Sequence, residues 1–176
     1  MKPLDAFVIP VTSLRMGRNE LDFTADWRFF QRFESSPVQQ GRFDISLVFD
    51  RFLDHWHLMF GISGKMDTEC DRCLAPIALP ISGTHELYVK FDDTDDGNSE
   101  VVTIPRETTQ FDISQFVYEF IVLSIPIIKR YDCESEEVAP CDTEMLSKLS
   151  THAQTTEGDG RWDALKQLRI SDEDLN

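Results

Sequence analysis

The sequence predicts an α+β protein: a mainly antiparallel β-sheet or partly open barrel, one central core helix, and short C-terminal helices. Three observations predict it. Apolar and polar residues alternate with period two through 43–49 and 56–62, the pattern of strands with one buried face. One segment, "FDISQFVYEFIVLSIPI" at 111–127, switches to helical spacing behind a capping residue. With 41% hydrophobic residues and 13 phenylalanines in 176 positions, the chain can bury a sizeable core without staples.

The first element is a strand over 6–11, within "AFVIPV". The stretch "ELDFTADWRFFQRF" then packs Phe23, Trp27, Phe29, Phe30 and Phe33 closely together. Spacing 23, 27, 30 suits one helix face, but Phe29 and Phe33 fall off it, so a helix and a strand running into a helix both fit. Phe43, Ile45, Leu47 and Phe49, followed after a connector at 50–55 by Trp56, Leu58, Phe60 and Ile62, form an antiparallel hairpin. Its second strand continues through Gly64 and Met66 to Cys70. A return strand starts near Ile77, so "CDRC" at 70–73 caps the turn, and a further strand covers 85–91.

The segment "DDTDDGNSE" at 92–100 has five acids and no hydrophobic residue, which makes it a solvated connector. Its acids do not follow the register of a calcium-binding loop. In the helix that follows, Asp112 is the N-cap with Gln115 at the third helical position, while Phe111 and Phe116 form a hydrophobic staple. Phe116, Val117, Phe120 and Leu123 make the apolar stripe, and Pro126 ends the helix. Residues 132–144 hold six acids, no Lys or Arg, and the cysteines Cys133 and Cys141. Two short helical pieces finish the chain: "TEMLSKL", and "GRWDALKQL" with Trp162, Leu165 and Leu168 at helical spacing. Between them "STHAQTTEGDG" reads as linker. The expected organisation is one domain over 1–150, then a linker and short terminal helix over 151–176.

The net charge is −15 and it is skewed: residues 1–88 carry 9 basic and 12 acidic groups, residues 89–176 carry 8 and 20. Proteins that coat nucleic acid neutralise phosphates with a basic footprint, and the composition has none. The opening residues have a short apolar patch broken by Pro10 and no small-residue cleavage site, and no apolar run is long enough to span a bilayer. The expected location is cytoplasmic, with no membrane partner. Thiols there are kept reduced, which leaves metal ligation and plain buried thiols as the competing roles for four cysteines.

Two residues between paired cysteines let both sulfurs of a turn reach one zinc ion at about 2.3 Å. Cys70 and Cys73 have that spacing; Cys133 and Cys141, with seven residues between them, do not. A four-cysteine zinc site, a partial site and inert thiols all remain open on spacing alone. A redox pair of the thioredoxin type needs its cysteines at the start of a helix in a βαβ unit, whereas Pro76 and alternating strands surround these. His55, His57, His85 and His152 are scattered in the sequence, and no phosphate loop or nucleophile elbow is present. The expectation is therefore a protein without catalytic residues and without a small-molecule substrate.

The order of "FVIPVTSL", "CDRCLAPIALPISG", an acidic connector, "FDISQFVYEFIVLSIPI", "APCDTEML" and "DGRWDALKQL" resembles the YceD-like family, the large ribosomal RNA subunit accumulation proteins of bacteria and plastids. The similarity covers about 6–168. It implies a non-enzymatic factor in ribosome biogenesis, whose partner is large-subunit ribosomal RNA or a basic ribosomal protein. It also implies metal ligation by Cys70, Cys73, Cys133 and Cys141, although the family's second pair is usually closely spaced. Direct RNA contact would fall on the less acidic half, on Arg15, Arg18, Arg28, Arg32, Arg42 and Arg51. The charge favours the basic protein instead, because each phosphate contact needs a cation. The reading outside ribosome assembly is an acidic α+β interaction module with structural cysteines.

Overall fold

A computed structural model describes residues 5–91, 101–132 and 140–154. The expected alternation produces three long strands, β3 (Gln40–Arg51), β4 (His55–Glu69) and β5 (Pro76–Phe91). They pair antiparallel in sequence order, with Leu47 opposite Phe60 and Leu58 opposite Leu87. Their inward residues Phe43, Ile45, Leu47, Phe49, Trp56, Leu58, Phe60 and Ile62 are buried, each worth about 1.5–3 kcal/mol when fully removed from water. Outward neighbours on β3 and β4 are mostly polar, the facing pair Val48 and Met59 excepted, so the sheet has one wet face.

The aromatic stretch at 20–33 is a strand running into a helix. β2 (Gly17–Asp26) pairs with β3 along its whole length, and α1 (Trp27–Phe30) follows directly. The Asp26 carboxylate accepts a hydrogen bond from the Arg28 N–H at 2.9 Å, which caps the new helix and stops the strand. Phe29 and Phe30 go into the core, whereas Trp27 stays on the surface.

The opening strand is shorter than expected: β1 (Val8–Pro10) lies between two 3₁₀ turns, Asp5–Phe7 and Val11–Ser13. A further short strand, β6 (Val102–Ile104), runs parallel to the end of β5. It completes a five-stranded sheet of order β2-β3-β4-β5-β6, an open sheet rather than a closed barrel. β1 pairs outside that sheet, antiparallel with β7 (Gln110–Asp112). The Arg51 guanidinium holds this N-terminal segment in place by donating to the carbonyls of Val11 and Leu14, at 3.1 and 2.8 Å.

The core helix is α2 (Ser114–Leu123). Phe111 and Phe116 stack 6.0 Å apart, which forms the expected staple. The capping box does not form: Asp112 accepts from the Ser114 N–H at 2.8 Å, but Gln115 bonds to Glu119 one turn on. The buried face is Ile113, Val117 and Ile121, and Leu123 is 70% exposed, so the stripe lies rotated from the one expected. The return strand near Ile77 and the strand over 85–91 are one continuous strand, β5. The last helix, α3 (Thr143–Gln154), carries on past Leu149 into residues read as linker. The acidic segment at 92–100, Cys133, and the helix expected at 160–168 lie outside the described residues.

Candidate functional site

The turn between β4 and β5 carries "CDRC". The Cys70 N–H donates to the Ala75 carbonyl at 2.9 Å and the Leu74 N–H donates to the Cys70 carbonyl at 2.8 Å. Closing so tight a turn puts Leu74 at φ +58°, a left-handed conformation that costs a non-glycine residue about 1–2 kcal/mol. Its side chain is 62% exposed, while the two thiols are buried. Sequence reasoning assigned no role to Asp71, which turns out to be the docking group of the turn. The Asp71 N–H donates to the Lys129 carbonyl at 2.8 Å, and the Asp71 carboxylate accepts from the Lys129 N–H at 2.7 Å. The signal available was an acid between two cysteines, but nothing in the sequence names a partner 58 positions away.

This stitch lays the segment after α2 against the thiols. Burial pushes the Cys70 thiol up, but N–H groups of Tyr131, Cys73 and Arg72 and the Cys73 thiol point at its sulfur and outweigh burial, bringing it down to about 7. Such a thiol ionises readily, as a zinc ligand must. Cys141 packs half-buried against the core and is disulfide-bonded, unlike the reduced thiol expected. No group of three or more metal-binding side chains comes together among the described residues. Cys70 and Cys73 therefore supply two soft donors at zinc spacing, and the chain path brings residue 131 beside them.

The six arginines do not form one patch. Arg15, Arg18 and Arg51 sit at one end of the β2–β3 hairpin; Arg28, Arg32 and Arg42 sit at the other. Eight residues of strand separate Arg18 from Asp26, about 26 Å at the usual rise. Arg18 pairs with Asp50 at 3.4 Å, Arg28 lies over the Trp27 ring, and Arg51 is committed to two backbone carbonyls. Arg42 is exposed and stands beside Lys65 across the β3–β4 ladder.

One histidine meets a hydroxyl in a way that sequence spacing could not show. His85 Nε2 lies 2.8 Å from Ser124 Oγ, and its ring stacks on Phe120. The Ser124 hydroxyl donates its only proton to the Phe120 carbonyl at 2.7 Å, so His85 donates to Ser124 rather than taking a proton from it. That wiring is the reverse of an activated nucleophile. It fastens the end of α2 to β5 over Gly83, where an added Cβ would stand 2.3 Å from Ser124 Oγ.

The wet face of the sheet carries a trough of about 650 Å³ across β2 to β5, made where Ser46, Gly61, Ser63 and Ser82 replace larger residues. Asp22 and Asp44 stand at its β2 end. No helix among the described residues is long and apolar enough to cross a membrane.

No curated protein and no solved structure matches the chain. The family model described as the large ribosomal RNA subunit accumulation protein YceD matches residues 58–169. That span is more than half of the chain; it starts within β4 and takes in the cysteine turn, β5, α2 and α3. The motifs within that span, from the cysteine turn to the terminal "RWDALKQL", agree with this match: the chain belongs to the YceD family of large ribosomal RNA subunit accumulation proteins.

Proposed function

We propose that this protein is a non-enzymatic ribosome-biogenesis factor that supports accumulation of large-subunit ribosomal RNA by binding a basic ribosomal protein. The observation that carries the mechanism is the scatter of the arginines. RNA affinity built on phosphate neutralisation needs cations along one track, and here the two groups lie about 26 Å apart with Arg51 and Arg18 already engaged. A net charge of −15 repels a polyanion at long range and steers a cationic protein inward. The wiring of His85 and Ser124 fits a structural role rather than a catalytic one. The acidic interaction module unrelated to ribosomes lacks the support of the family.

Zinc belongs to the same proposal. Cys70 and Cys73 fit the ion by spacing, burial and ionisation, and Cys133 and Cys141 are the remaining ligands once the Cys141 disulfide is reduced. The ion would supply a structural cross-link between the cysteine turn and the C-terminal segment.

The experiment is depletion of the protein in its own cells, with the ratio of large- to small-subunit ribosomal RNA as readout, paired with binding to purified large-subunit proteins and to naked ribosomal RNA. The expected result is a fall in the ratio, with binding to a basic protein and little RNA affinity at physiological salt. An unchanged ratio overturns the function. Tight, steeply salt-dependent binding to naked RNA overturns the mechanism.

A further inference from the structure

We propose that β2 is a docking edge, to which an extended Lys/Arg-rich polypeptide segment adds as a further strand. The inference rests on the reading of a basic protein partner and assigns it a place. β2 pairs with β3 from Gly17 opposite Arg51 to Asp26 opposite Arg42, and no strand lies on its other side among the described residues. Every second residue of this ten-residue edge therefore offers its N–H and C=O outward.

Proteins blunt such edges with proline, lysine or bulges. The other long edge is blunted: β5 pairs with β6 only over Val89–Phe91, and its free stretch carries Pro76 and Pro80, which donate no hydrogen bond. β2 has no proline, no lysine and no break in its ladder. Its charged side chains, Arg18, Glu20, Asp22 and Asp26, are its guard against strand addition, and three of the four are acids.

Side chains choose the occupant. On the wet face β2 presents Glu20 and Asp22, both exposed, and among the described residues neither has a side-chain ion pair or hydrogen bond. Residues of an added strand facing them would have Cβ atoms about 4.5–5.5 Å away, the distance at which opposite charges stabilise a pair. Beside Asp22 opens the trough, floored by small side chains and flanked by Asp44. A Lys or Arg side chain reaching across β2 enters it between two carboxylates. On the inner face Leu21 and Phe23 are only half-buried, so the intervening residues of the segment are apolar. The fitting partner alternates cationic and apolar residues.

The test uses the full-length protein and an acetylated, amidated eight-residue peptide alternating Lys and Val, with an alternating Glu and Val peptide as control. Binding is read by fluorescence anisotropy at low salt, and the docking place by amide hydrogen exchange. The expected result is binding of the Lys peptide alone, with slower exchange of β2 amides. The double variant E20K/D22K, folded by circular dichroism, weakens binding about tenfold or more, since two attractive pairs become repulsive. Absence of binding, equal binding of the Glu peptide, or binding without protection of β2 overturns the proposal. Protection of β2 by a single-stranded RNA oligonucleotide in place of the peptide overturns it as well. If the edge fails while depletion still lowers large-subunit RNA, the docking place is wrong and the function stands. If the peptide docks but depletion changes nothing, the reverse holds.

Discussion

Replacing Gly64 by Ala tests how closely β3 and β4 approach. Gly64 lies opposite Phe43 on the inner face, and the Phe43 ring occupies the space that a side chain would take. An added Cβ would stand 2.3 Å from the Arg42 carbonyl oxygen, 2.7 Å from Phe43 Cδ1 and 2.8 Å from Phe43 Cα. Two of these atoms are backbone in the middle of a paired strand, so relief requires moving β3 itself. Overpacking of this kind costs about 1–3 kcal/mol, and a backbone clash belongs at the upper end. Gly61 in the same strand is the control. Its added Cβ would meet Ser46 Oγ at 2.6 Å, a hydroxyl on the wet face that can rotate away. The loss there is one weak hydrogen bond at 3.3 Å, under about 1 kcal/mol, partly offset by reduced unfolded-chain entropy. Urea unfolding followed by far-ultraviolet circular dichroism reads the difference. With a slope of about 2 kcal/mol per molar, Gly64→Ala lowers the midpoint by about 1.5 M and Gly61→Ala by less than about 0.5 M. Equal midpoints for the two variants would refute the idea that strand contact, rather than glycine content, sets the cost.

Ser124→Ala strands the His85 Nε2 proton and releases the end of α2, lowering stability by about 1 kcal/mol, seen as a shift in urea midpoint at constant slope. Reduced protein purified without tags is expected to carry zinc by elemental analysis and to lose it in Cys73→Ser; a metal-free protein with all thiols titratable contradicts the zinc proposal. The metal-free, reduced protein has a pH signature. The Cys70 pKa is lowered in the fold to about 7 from 9.0, so its stabilisation is fully present above pH 9 and is lost as pH falls through 7. Melting temperatures of wild type and Cys70→Ser should therefore converge towards pH 6 and separate towards pH 9, and parallel curves would deny the depressed thiol.

The hairpins were legible because alternation at 43–49 and 56–62 is local and strict. The break expected within β5 has a physical cause. Its inward row runs Ile77, Leu79, Ile81, Gly83, His85, Leu87, Val89, and the two residues that interrupt the apolar pattern are those on which Ser124 and Phe120 of the α2 segment sit. The mark of a contact across 39 positions was read as the boundary between two strands. The short elements β1, β6 and β7 owe their existence to distant partners rather than to propensity, and β6 pairs parallel, which no local pattern announces. Of the candidate site, the cysteine turn was visible from spacing. The Asp71 clasp was not, because a single carboxylate carries no record of what it will hold. The arginines show the opposite limit: composition counted them correctly, but only the register reveals that they stand at opposite ends of a hairpin.

The clasp between Asp71 and Lys129 imposes an order of assembly. Strands β2 to β5 close neighbour to neighbour through the sequence, so each hairpin can form as soon as its own residues are free. The cysteine turn waits for a segment 58 positions downstream, and closing so long a loop costs entropy that must already be covered by a formed sheet. During synthesis the sheet can stand while the segment after α2 is still inside the ribosome, and the turn stays undocked until that segment emerges. In pulse-labelled hydrogen exchange during refolding, β3 and β4 amides should gain protection before those of Asp71 and Lys129. Closure of the turn then records that the chain has been made through α2 and on to Lys129.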